Sequence, residues 1–185
     1  MRPRRLRSAA TLLIALAAVA CGPSAAAIPV ATPHMTTFAE YRTAVCASWE
    51  ALFAAVGNPD TGSGSVLSKS LDQAVAAHDA ATAERLATET LSQLETGRQQ
   101  ASIAGRWASA GRMMSEMDRL FVAFEMETAA KRAAAAQPAG AVDVGAAFEQ
   151  AGGPAAWKAM FAAAAGVARP SGVPAESCAS VPVVP

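Results

Sequence analysis

The stretch WASAGRMMSEMDRLFVAFEMETAAKRAAAA, residues 107–136, decides the fold of this chain. At about 100° per residue on an ideal helix, its large apolar side chains fall within one broad arc. The arc contains Ala110, Met113, Met114, Met117, Leu120, Phe121 and Phe124, and the opposite side contains Arg112, Glu116 and Arg119. Such an amphipathic pattern is typical of a bundle helix, and it predicts a helix from Trp107 to about Ala135.

A first helix is marked upstream by the sequence TFAE, residues 37–40. It fits a capping box, in which the Thr37 side chain accepts from the amide of Glu40 and Glu40 reaches back. Apolar residues then recur at three- and four-residue steps as far as Val56. The turn-forming residues 57–62 predict the end of this helix.

Two more helices are predicted between these elements. One starts near Ser65, and Asp79 is suited to cap the next, which carries three leucines as far as Gly97-Arg98. Neither proline nor glycine lies near His78, between the two. Whether they are continuous there therefore stays open.

The remainder of the chain predicts shorter elements. Pro138 interrupts the helical pattern, and Asp143 is suited to cap a short helix. A last helix ends near Gly166. No stretch alternates in the manner of a strand. We therefore predict an all-α bundle of four main helices plus one or two short ones over residues 37–168, followed by a proline-rich tail at 169–185.

The first twenty residues have the pattern of a secretory leader. The opening ten residues contain four arginines and no acid, and Ala9 to Ala20 form a short apolar run. This order is typical of a signal peptide, predicted at 1–20. A membrane-spanning helix needs about 20 apolar residues, more than this run supplies.

The sequence AVAC, residues 18–21, resembles the lipobox of bacterial lipoproteins, although Ala18 stands where leucine is common. The resemblance implies cleavage before Cys21, diacylglycerol on its thiol and an N-acyl chain, with palmitate as a typical acyl group. It also implies a lipid-anchored protein on the extracytoplasmic side of the cell membrane or outer membrane. The resemblance covers no residue of the predicted bundle.

Residues 21–36 are then the lipidated cysteine and a flexible spacer with several prolines. The alternative is cleavage after Ala27 by ordinary signal peptidase, since residues 25–27 are all alanine. That product lacks Cys21 and is secreted without an anchor.

Charge and cysteine content narrow the class of protein further. Without the leader, the chain has 11 basic and 15 acidic residues, a net charge of about −4 (11 − 15), which argues against nucleic acid as a partner.

Export places Cys46 and Cys178 in an oxidising compartment, where such a pair usually forms a disulfide. We therefore predict a disulfide that ties the tail to the first helix.

Methionine is the strongest candidate for a metal ligand in this sequence. Met113 and Met117 are one turn apart on the fourth helix, and thioethers bind Cu(I), with His78 as an additional nitrogen ligand. The alternative is packing, because both methionines share their arc with the large apolar residues and methionine commonly fills core gaps.

Two other sets of residues have similar alternatives. Trp49, Trp107 and Trp157 either line a ligand pocket or serve as the large wedges that an alanine-rich bundle requires. Asp118 and Glu125, seven residues apart, either bind a metal or act as an acid–base pair, or they flank the core as solvated acids.

No nucleophile elbow, zinc-protease helix, phosphate loop or dinucleotide fingerprint occurs in the sequence. We therefore expect no catalysis and no cofactor beyond the lipid on Cys21. The sequence favours a binding or scaffolding module of the bacterial cell envelope whose protein or small-ligand partner is unknown. The alternative is a copper or small-ligand carrier that uses the methionine and aromatic face.

Overall fold

The computed structural model describes residues 37–58, 62–172 and 178. The predicted signal peptide, Cys21, the spacer and Ala27 lie outside the described residues, as does most of the tail. The described residues form six helices and no strand: α1 (Phe38–Val56), α2 (Val66–Ala76), α3 (Ala80–Ala104), α4 (Gly111–Ala135), α5 (Val144–Gln150) and α6 (Gly153–Ala164). The predicted all-α bundle is confirmed.

The fourth helix is the centre of the bundle. It packs against α3 on one side and α6 and α5 on another, and α1 packs along α3. The main core joins α1, α3, α4 and α6 and contains Trp49, Leu52, Leu94, Met117, Leu120, Phe121 and Met160. A smaller cluster of Leu71, Ala74, Ala83, Leu86, Ala87 and Ala135 joins α2 to the start of α3 and the end of α4.

The predicted helix caps are present. The Thr37 backbone N–H donates to Glu40 Oε2 at 2.7 Å, and the Glu40 N–H donates to Thr37 Oγ1 at 3.2 Å, which completes the capping box. Asp79 caps α3 and Asp143 caps α5, each accepting a hydrogen bond at 3.0 Å from the amide three residues on.

The second and third helices are separate. His78 stands between them with φ of 51°, in the left-handed region, where histidine is one of the residue types found more often. The Asp79 N–H donates back to Ala74 O at 2.9 Å, which closes the turn at the end of α2. The side chain of His78 is exposed.

Two predicted boundaries were wrong. The third helix continues past Gly97 to Ala104, because Gly97 is the site of a close helix contact rather than a helix end. The fourth helix begins at Gly111, not Trp107. Trp107 Nε1 donates to Ala168 O at 3.1 Å, and the Ala168 N–H donates to Ser109 Oγ at 2.7 Å. These tertiary bonds hold residues 105–110 as turns.

The predicted disulfide between Cys46 and Cys178 is present, with Cα atoms 5.3 Å apart and a sequence separation of 132 residues. Cys178 is buried against α1. None of the helices in the described part of the chain combines the length and apolar character needed to cross a bilayer.

Candidate functional site

The methionine pair lies inside the main core. Met113 is 2% exposed and Met117 is fully buried. Tyr41 Oη donates to Met113 Sδ at 3.9 Å, and Ser48 Oγ lies 3.5 Å from Met117 Sδ while also donating to Gly97 O at 2.9 Å. Both thioethers therefore face buried donors of α1.

The structure does not gather the three predicted copper ligands. Met113 is near the start of α4, which the short 105–110 segment joins to the end of α3. His78 precedes the first residue of α3, whereas Met113 follows its last residue. The 25 residues of α3 extend roughly 37 Å at about 1.5 Å per residue. His78 is thus distant from Met113. Among the described residues, no group of three or more histidine, cysteine or acidic side chains is placed to hold a metal ion.

The three tryptophans belong to two separate aromatic groups. Trp49 meets Trp157 edge-on at 5.9 Å between ring centroids, and both rings also contact Phe161. Trp107 instead packs against Phe38 at 5.4 Å and Tyr41 at 6.2 Å. The tryptophans therefore do not line one common pocket; each fills a junction between helices.

The carboxylates on α4 share one cation that the sequence analysis missed. Arg98 Nε donates to Asp118 Oδ1 at 2.8 Å, and its Nη1 donates to Glu125 Oε1 at 3.2 Å. The hydrogen bond to Asp118 raises the pKa of Arg98. Partial burial of the side chain lowers this pKa, and the negative charge of Glu125 raises it further. A permanently charged guanidinium thus bridges α3 to both acids. An open groove of about 410 Å³ lies beside this bridge, between the end of α3 and the start of α4.

Three arginines from two distant parts of the sequence lie at one end of the bundle. Arg106 lies in the 105–110 segment and Arg112 in the first turn of α4. Arg169 follows Ala168, whose backbone is bonded to Trp107 and Ser109 of that same segment. All three arginines are exposed. We call Arg106, Arg112 and Arg169 the arginine end; sequence reasoning missed it because only the fold brings these positions together.

Comparison with known proteins found no matching protein-family model, no matching curated protein and no matching solved structure. The class of protein is therefore stated from the fold: an all-α bundle closed by one disulfide between its first helix and its tail.

Proposed function

We propose that this protein is an exported lipoprotein of the bacterial cell envelope, anchored through diacylglycerol on Cys21, that acts as a binding or scaffolding module rather than as an enzyme. The observation that carries the proposal is the Cys46–Cys178 disulfide. Disulfides persist in oxidising compartments such as the periplasm and the cell surface. The bond therefore agrees with the export leader and the lipobox-like residues 18–21.

The roles of the polar and sulfur-containing side chains support a non-catalytic function. Met113 and Met117 pack in the core, and Arg98 forms ion pairs with both Asp118 and Glu125. An acid–base pair at neutral pH needs carboxyl groups whose environments hold them in different protonation states. Asp118 and Glu125 instead share one environment, since both are ion-paired to the same guanidinium, at 2.8 and 3.2 Å.

The anchor is tested by growing cells that express the protein with radioactive palmitate. We expect label on the wild-type protein and on Cys178→Ala, and none on Cys21→Ala, because only Cys21 directly follows the apolar run. Cys178→Ala is the matched control, since it also removes one thiol but leaves the lipobox-like sequence intact. Equal labelling of wild type and Cys21→Ala refutes the anchor. An intact mass of the native protein that corresponds to a chain beginning at Ile28 also refutes it and favours the secreted form.

A further inference from the structure

We infer that the arginine end of the bundle docks on anionic phospholipid headgroups of the membrane that holds the protein. This inference rests on the proposed lipid anchor for the identity of the membrane. The surface itself is defined by the described residues alone.

This end is positively charged, whereas the whole chain contains 15 basic and 15 acidic residues. The stretches 37–42, 102–114 and 166–172, which lie at this end, contain four arginines and one acid, Glu40, and the groove beside Arg106 adds the ion pair of Arg98 with Asp118. None of the three residues of the arginine end forms an ion pair with a described residue. By contrast, exposed Arg85, Arg119 and Arg132 each have an acidic partner, Glu89, Glu116 and Glu84 respectively.

The start of α4 adds to the positive potential. Its N-cap, Ala110, supplies no side-chain hydrogen bond to the first amides of the helix. These amides carry a positive partial charge because the peptide dipoles of the helix are aligned. Each arginine near an anionic lipid surface contributes about 1 kcal/mol of attraction, roughly a fivefold gain in binding.

The arginine end lies where the described part of the chain begins, next in sequence to the spacer that follows Cys21. The sequence enters the bundle at Thr37, and the next residue, Phe38, packs on Trp107 at the arginine end. A spacer of residues 22–36 is all that separates this point from Cys21. Tethering makes docking intramolecular, so a weak attraction of a few charges is sufficient. Half-buried Trp107 is also of the residue type enriched at membrane interfaces.

The test uses the processed protein, reconstituted into vesicles of phosphatidylcholine with or without phosphatidylglycerol, with spin-labelled headgroups that quench tryptophan fluorescence. We expect phosphatidylglycerol to increase the quenching. This increase disappears in high salt, because the screening length falls to about 3 Å at 1 M. It also disappears in Trp107→Phe, since Trp49 is almost completely buried and Trp157 lies in the other aromatic group.

The decisive variant is the triple change Arg106→Gln, Arg112→Gln and Arg169→Gln. It should weaken docking on phosphatidylglycerol vesicles on the order of 100-fold, at roughly fivefold per charge. The matched control is Arg85→Gln, Arg119→Gln and Arg132→Gln, which removes the same number of exposed charges elsewhere and should retain the quenching. Equal quenching on the two kinds of vesicle, or equal loss in the two triple variants, overturns the inference.

Failure of the anchor is distinguishable from failure of the docking. Flotation of the protein with pure phosphatidylcholine vesicles measures the anchor alone, because these vesicles have no net charge. If flotation fails there, the anchor is wrong. The comparison of the two triple variants on phosphatidylglycerol vesicles still decides whether the arginine end binds anionic lipid.

Discussion

Gly97 of α3 lies so close to Phe121 of α4 that a Cβ atom at position 97 would stand 2.5 Å from Phe121 Cζ. The carbonyl of the same glycine accepts a hydrogen bond from buried Ser48 of α1 at 2.9 Å. Three helices therefore meet at one residue that has no side chain. This contact limits how closely α3 approaches α4 next to the Arg98 bridge.

We expect Gly97→Ala to destabilise the bundle by about 1–3 kcal/mol, the usual cost of overpacking a core. Alanine recovers up to about 1 kcal/mol through helix propensity, so the overpacking cost must exceed that gain. Urea unfolding followed by circular dichroism measures the difference. The combined variant Gly97→Ala with Phe121→Leu should lose less stability than the two separate changes added together, because the clash is removed.

Gly111→Ala is the control for this substitution. It lies in the first turn of α4, where the nearest atom to an added Cβ is Gly105 O at 4.0 Å. We expect no loss of stability there. If Gly97→Ala is as stable as Gly111→Ala, the packing interpretation of Gly97 is wrong.

The disulfide is expected to be a major source of stability. Its two cysteines are 132 residues apart, and for loops of this length chain entropy predicts a contribution of about 4 to 5 kcal/mol, often less in practice. The double variant Cys46→Ser with Cys178→Ser should therefore unfold at much lower urea concentration. Reductant should weaken the wild type to a similar degree and leave the double variant unchanged. Equal midpoints for wild type and double variant would contradict the prediction.

Lys131 should make stability depend on alkaline pH. Its side chain is 14% exposed and lies 2.8 Å from Asp72 of α2 and 3.0 Å from Glu127. Burial opposes its charge, but its hydrogen bonds to the two acids and their negative charges outweigh burial and raise the pKa of Lys131 above its ordinary 10.5. The pKa of this lysine is thus higher in the folded state than in the unfolded state. Its charge therefore stabilises the fold fully at pH values below the unfolded-state pKa. This stabilisation is lost as the pH rises through the folded-state pKa.

The measurement compares the unfolding free energies of wild type and Lys131→Met from neutral pH to above 10.5. The advantage of the wild type should shrink as the pH rises. Burial also raises the pKa of Tyr41, which lowers stability at alkaline pH in every variant that retains this tyrosine, so only the difference between proteins is diagnostic. Lys69→Met, at an exposed lysine of α2, should run parallel to the wild type. A constant gap between wild type and Lys131→Met would refute the role of Lys131.

The parts of the fold that depend on local chemistry were predictable from sequence. Thr37, Asp79 and Asp143 mark helix starts because each caps an amide only three residues away. The disulfide was predictable for a different reason, since the leader predicted from the sequence assigns Cys21 to processing and leaves Cys46 and Cys178 as the one possible pair.

Features that depend on distant residues were not predictable. The start of α4 depends on a bond between Trp107 and Ala168, 61 residues apart. The Arg98 bridge joins acids 20 and 27 residues away on another helix. The first contact depends on where the chain runs after α6, and the second depends on the register of α3 against α4. One sequence defines neither. The sequence therefore singled out the two carboxylates but not the arginine that pairs with both.

Finally, we expect the protein not to bind Cu(I) through its methionine pair. Met113 and Met117 are almost completely buried, both thioethers face donors of α1, and His78 lies near the far end of α3. Titration of the purified protein with Cu(I) against a coloured chelator should show no competition. The double variant Met113→Leu with Met117→Leu should behave identically in this titration and lose less than about 1.5 kcal/mol of stability per change, as volume-conserving core substitutions do. Cu(I) uptake by the wild type that the double variant lacks would instead favour the metal-carrier function.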